Sequence, residues 1–123
     1  MNDNRTTIRE LKKLVDTFRQ ERDWGKHHTP KNLAVSIAIE AAELLEHFQW
    51  EEKKQNKKEL EKELADIIIY CLFFAVSNKI DLAKAVETKM EYNSKKYPAK
   101  VFKNKKDHLK DYWQIKKKHR NEK

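Results

Sequence analysis

One glycine and two prolines in 123 residues leave this chain nearly without helix breakers or turn formers. It also has no alternating Val, Ile or Thr run bounded by Gly or Asn, the pattern that marks β-hairpins. An all-α protein is the natural expectation, and the length suits one main folding unit.

The helices can be delimited from their ends. Thr7-Ile8-Arg9-Glu10 has the capping-box form, and Ile8, Leu11, Leu14, Val15 and Phe18 follow at helical spacing. This first helix is expected to reach about Arg22. Gly25 would serve as its C′ residue. After the polar loop Lys26–Thr29, Thr29-Pro30 reads as N-cap and first residue of a second helix. From Leu33 to Leu45 that helix is apolar on every face except at Ser36, Glu40 and Glu43, which marks it as buried. It should end near Gln49-Trp50, with a short charged connection at Glu51–Lys58. A third helix enters the run Leu64–Val76, which is too long for an ordinary strand and is interrupted only by Asp66. Asp81 is placed to cap a fourth helix with inward residues Leu82, Ala85, Val86 and Met90, stopping at Tyr97-Pro98. Four main helices with short links make an antiparallel helical bundle. A chain this short covers two all-apolar helices poorly, so a homo-oligomer, dimer or tetramer, is expected on burial grounds.

The two carboxylate pairs stand out against this apolar background. Glu40 and Glu43 are spaced i, i+3, as are Glu63 and Asp66, so each pair leaves one helix face. Residue 53 is the midpoint both of Glu43 and Glu63 and of Glu40 and Asp66. If the two helices are antiparallel about that point, all four acids sit at similar heights, about 15–20 Å from the turn. Four acids converging between apolar walls must be protonated or neutralised by a cation. Oxygen-only donors favour Mg²⁺, with Mn²⁺ as a second choice, and no Cys or His at matching spacing points to zinc. The absence of Glu-x-x-His pairs disfavours oxidase chemistry. Glu51, Glu52, Glu59, Glu61, Glu87 and Glu91 stand among lysines and read as solvated surface acids. Cys71, the single cysteine, excludes an internal disulfide and reads as a small buried hydrophobe.

Around these residues the chain resembles the MazG-like all-α nucleotide pyrophosphohydrolases, and among them the dCTP pyrophosphatase branch. The family pattern E-x-x-E followed by E-x-x-D stands here as Glu40-Ala-Ala-Glu43 and Glu63-Leu-Ala-Asp66. Its flanks are Glu21-Arg22-Asp23-Trp24, His28-Thr29-Pro30-Lys31-Asn32-Leu33, Phe48-Gln49-Trp50, Asp66-Ile67-Ile68-Ile69-Tyr70 and Lys89-Met90 with Asn93 and Tyr97-Pro98. The resemblance implies hydrolysis of a nucleoside triphosphate to the monophosphate and pyrophosphate, with Mg²⁺ held by the four acids as the catalytic centre. It implies a nucleotide pocket lined by Trp24, Gly25, Lys26, His27, His28 and Trp50, with Tyr70 near the sugar or phosphates. Asn93, Lys96 and Tyr97 would touch the triphosphate. The dCTP branch carries a His nine residues before the first Trp, where this chain has Val15. Without the resemblance, Trp24 and Trp50 would read as core or helix-end anchors, His27 and His28 as loop residues and Tyr70 as core.

Charge separates residues 1–97, the expected pyrophosphohydrolase domain, from 98–123. The latter stretch holds ten Lys/Arg against three acids, so it carries +7 of the net +8. It reads as a basic C-terminal tail, solvated or disordered. The competing functional readings are a helical oligomer that grips nucleic acid through this tail, with Tyr112 and Trp113 available for stacking, and a purely structural bundle. The N-terminus shows no apolar leader and the longest apolar run is too short for a bilayer, so a cytoplasmic protein without membrane contact is expected.

Overall fold

The computed structural model describes residues 1–50, 56–103 and 108–121. Its described elements are α1 (Ile8–Glu21), a 3-10 turn (Gly25–His27), α2 (Pro30–Glu46), α3 (Lys57–Ser77), α4 (Leu82–Lys96), α5 (Ala99–Phe102) and α6 (Leu109–Asn121). There is no strand among the described residues, and none of their helices is long and apolar enough to cross a membrane. The chain divides into two compact units, Met1–Leu82 and Ala83–Lys123.

In the first unit the helix starts follow the sequence signals. Thr7 Oγ1 accepts from the Glu10 N–H at 3.1 Å, and the Glu10 carboxylate accepts from the Thr7 N–H at 3.3 Å, closing the capping box. Thr29 caps α2 by accepting from the Asn32 N–H at 3.1 Å, with Pro30 at N1. The Asn32 side chain reaches back to the His27 carbonyl at 3.0 Å and ties the 3-10 turn to the start of α2. Asn56 caps α3. The end of α1 differs from expectation. Asp23, not Gly25, takes the left-handed conformation, at φ 54°, while Gly25 opens the 3-10 turn with a negative φ. Asp tolerates that region because its short polar side chain can bond locally. The end of α2 also differs: the helix stops at Glu46, and His47–Trp50 form turns. The charged connection expected at 51–58 falls at residues 51–55 outside the described residues, and α3 is already under way at Lys57.

α3 packs against both α2 and α1. The core is Val15 from α1, Leu33 from α2 and Leu72 with Phe73 from α3, flanked by Leu11, Ile69, Tyr70, Phe74 and Leu82. Polar bonds lock α1 along the far end of α3. Arg19 donates to Ser77 Oγ at 2.6 Å and pairs with Asp16 at 2.6 Å, while the Lys12 ammonium donates to the Ile80 carbonyl. Three helices cover only one side of one another, so much apolar surface stays open. Leu14, Val35, Ile39, Leu45, Leu64 and Ile68 are all exposed in the single chain.

The second unit holds α4, α5 and α6. Val86 and Met90, expected to face inward, are exposed, and of that set only Leu82 packs on the core. The basic stretch is not structureless: α6 occupies residues 109–121. Tyr97 stacks on Tyr112 at 5.3 Å and 18°, and Tyr92 meets His119 edge-on at 6.1 Å, so aromatic pairs join α4 and its end to α6.

Leu33 is 1 % exposed, so truncating it leaves a cavity that its neighbours cannot close. Leu33→Ala should lower unfolding free energy by about 2–5 kcal/mol. Thr7→Ala, which removes one exposed cap, should cost about 1 kcal/mol. Urea denaturation of the two variants tests this ordering, and equal losses would contradict the assignment of Leu33 to the core.

Candidate metal and nucleotide site

The α2–α3 pairing brings Glu40, Glu43, Glu63 and Asp66 together. One carboxylate oxygen from each can be chosen so that all lie within 4.8 Å of one another. The packing of α2 on α3 thus brings the two i, i+3 pairs to one place, as their spacing led one to expect. His47 adds a further rung, with Nε2 3.3 Å from Glu63 Oε1.

Like charges this close resist simultaneous ionisation. The Glu40 carboxyl is pushed up to about 7, first by its hydrogen bond with the Glu43 side chain, then by burial, then by the negative charges of Glu43, Asp66 and Glu63. Glu40 Oε2 is buried and has no hydrogen-bond partner among the described residues. Four hard oxygen donors, one of them carrying an orphaned buried oxygen, suit a divalent cation such as Mg²⁺ or Mn²⁺ better than a proton network.

A groove of about 670 Å³ runs between α1 and α3 beside this cluster, a volume in the range of small-molecule sites. Asp66 belongs to both the cluster and the groove. Trp24 and Tyr70 also line it, along with Leu11, Val15 and Phe73. Trp24 lies edge-on to Phe18 at 5.3 Å, and Tyr70 is edge-on to Phe73 at 5.8 Å. Val15 on the α1 wall is buried and apolar, so it brings no hydrogen-bonding side chain to the groove.

The remaining sequence candidates are distributed less tightly. His28 rests on the Phe73 ring at 4.7 Å with its Nδ1 buried and unpartnered among the described residues. Burial, with the nearby Arg19 and His27 charges, lowers its pKa and keeps the ring neutral at pH 7. Gly25, Lys26 and His27 form the 3-10 turn, where Lys26 pairs with Asp23 at 3.0 Å. Trp50 is 87 % exposed among the described residues. Asn93, Lys96 and Tyr97 belong to the second unit. Asn93 accepts from the Tyr97 N–H at 2.7 Å, and the Lys96 ammonium lies 5.2 Å from the Tyr97 ring centre. Of the acids read as solvated, Glu59 pairs with Lys62 and Glu87 with Lys84 on exposed faces. Cys71 is half-buried, and burial raises its thiol pKa.

The expectation that no His stands at matching spacing fails at His47, whose Nε2 meets Glu63. His47 lies seven residues after Glu40 and four after Glu43, the spacing that returns to the same helix stripe. Its place near the polar end of α2 makes it resemble an ordinary helix-terminal residue.

A carboxyl with a raised pKa binds more protons in the folded than in the unfolded chain. The stabilising contribution of Glu40 is therefore full below the ordinary carboxyl value of 4.5 and is lost as pH rises through about 7. In chelator, Glu40→Gln should gain melting temperature relative to the unsubstituted protein between pH 5 and pH 8. A difference that stays flat across this window would contradict the crowding of the four acids.

Comparison with known proteins identifies the family of the chain. Residues 35–115 match the model of the MazG-like family, a span that takes in all four acids and reaches into α6. The chain is similar to human dCTP pyrophosphatase 1, with 34 % identity over 102 residues, covering 76 % of this chain and 60 % of that protein. The bovine dCTP pyrophosphatase 1 gives 35 % over 101 residues, covering 75 % and 60 %. The chain thus spans about 60 % of the length of these curated relatives. Among solved structures, a pyrophosphatase from Archaeoglobus fulgidus is 42 % identical, with a TM-score of 0.66 over 80 % of this chain and 98 % of that one. The chain belongs to the MazG-like family.

Proposed function

We propose that this protein hydrolyses nucleoside triphosphates to the monophosphate and pyrophosphate, using Mg²⁺ held by Glu40, Glu43, Glu63 and Asp66. The convergence of four carboxylates within 4.8 Å, at the edge of a nucleotide-sized groove, carries this reading. The similarity to pyrophosphatases at 34–42 % identity supports it.

Divalent cations bound to these acids would neutralise triphosphate oxygens and polarise the phosphorus under attack. The protein's own residues do the rest. Glu40 Oε2, free of hydrogen bonds among the described residues, is the oxygen we assign to orient the attacking water and take its proton. The base lies in the groove against Trp24 and Tyr70, with the phosphates beside Asp66, the one of the four acids that lines the groove. Aromatic faces suit any base, since every base presents a π-surface. Trp50, 87 % exposed in the single chain, is the second tryptophan assigned to the base. The preferred substrates are dCTP-like or modified pyrimidine nucleotides. The apolar Val15 wall gives little purchase on the exocyclic groups of cytosine, which favours tolerance of modified bases.

The working form is a homo-oligomer, with the exposed apolar residues of α2 and α3 covered by other copies of the chain. A second reading, nucleic-acid binding through α6, rests on Trp113, 51 % exposed with the Lys116 ammonium 5.3 Å from its ring centre. It leaves the acid cluster unexplained.

A panel of canonical and modified triphosphates, followed by pyrophosphate release with Mg²⁺, tests the proposal. Pyrimidine deoxynucleotides should turn over fastest, and Glu43→Gln and Asp66→Asn should abolish turnover while the helical circular dichroism persists. Trp24→Ala and Trp50→Ala should each weaken substrate binding by about 1–3 kcal/mol. Pyrophosphate release that survives Asp66→Asn would refute the catalytic assignment. Unchanged binding in both tryptophan variants would return these side chains to packing roles.

A further inference from the structure

His47 is the C-cap of α2, held by its backbone N–H to the Leu44 and Leu45 carbonyls. That anchorage sets the imidazole on the same stripe as Glu40 and Glu43, one turn nearer the hairpin connection. Its Nε2 approaches Glu63 Oε1 at 3.3 Å, and the two side chains are 24 % and 20 % exposed, so solvent competes only partly for the contact.

We infer that His47 is a positioning residue that holds the Glu63 carboxylate, by donating from Nε2 to Oε1, in the orientation that metal binding requires. This inference rests on the reading of the four acids as a metal site. A free glutamate has three side-chain torsions to freeze before it can bind an ion, and freezing them opposes binding. A donor on one oxygen removes much of that freedom in advance and leaves the second oxygen available. Ligating carboxylates are commonly hydrogen-bonded in this way, with effects of about 10–100-fold on metal affinity when the partner is removed. Another carboxylate at this place could not donate unless protonated and would add to the repulsion among the four acids, whereas an imidazole N–H donates without adding negative charge. The tautomer needed carries its proton on Nε2.

The competing explanation is a staple across the α2–α3 connection, with no bearing on metal. The two are separated by titrating Mn²⁺ alone into the full chain, following loss of the free-ion electron paramagnetic resonance signal, alongside melting in chelator. His47→Leu removes the donor at similar bulk, and His47→Gln restores an N–H. With Leu, Mn²⁺ affinity should fall about tenfold, and with Gln it should stay within about threefold of the unsubstituted protein. Melting in chelator should change little in either, and Leu should cost nothing more when added to Glu63→Gln. Unchanged affinity in His47→Leu, with Glu63→Gln still impaired, would overturn the inference and leave the metal reading standing. Equal loss in the Leu and Gln variants, with a lower melting temperature in chelator, would assign His47 to the staple. If Glu63→Gln itself binds Mn²⁺ normally, the metal reading fails and the inference goes with it.

Discussion

Two helices that are apolar on nearly every face must meet, and where α2 meets α3 their register decides which polar groups are trapped between them. Here the register brings the i, i+3 acid pair of one helix opposite that of the other. Ionised carboxylates crowded in this way work against the apolar contacts that press the helices together. That crowding raises the Glu40 carboxyl to about 7, with its hydrogen bond to the Glu43 side chain the largest cause. A divalent cation would answer the crowding, which makes the tension between packing and charge the source of the proposed chemistry.

The rest of the first unit serves that meeting. α1 lies along α3, locked by Arg19 to Ser77 and Lys12 to the Ile80 carbonyl, and leaves a groove that Asp66 helps to line. The left-handed Asp23 and the 3-10 turn bring the chain round so that Trp24 borders the groove and His28 settles on Phe73. The same three-helix arrangement leaves Val35, Ile39 and Leu45 of α2 uncovered, an apolar burden of the kind that association between copies relieves.

Much of this was legible in the sequence because it depends on local rules. Caps at Thr7 and Thr29 and the acid register all follow from spacing of 3.6 residues per turn and from hydroxyl chemistry at helix starts. What was not legible depends on choices between near-equivalent local solutions or on long-range contacts. Asp23 and Gly25 could each have taken the left-handed position, and the chain used the first. Val86 and Met90 have the periodicity of an inward face, but periodicity does not say which surface a face meets, and within this chain they remain exposed. Lysine-rich α6 reads as a tail from its charge, whereas its Tyr92, Tyr97, Tyr112 and His119 ring contacts depend on residues far apart in sequence. His47 escaped for the same reason, since only the partner helix reveals what its ring faces.

The central claim is that the four acids form one cation site in the folded protein. Crystals soaked in Mn²⁺ and measured near the manganese absorption edge give its location directly. An anomalous peak within bonding distance of carboxylate oxygens from Glu40, Glu43, Glu63 and Asp66 is the expected result. Fully ordered, metal-free carboxylates at saturating Mn²⁺, or a peak ligated elsewhere on the chain, would contradict it.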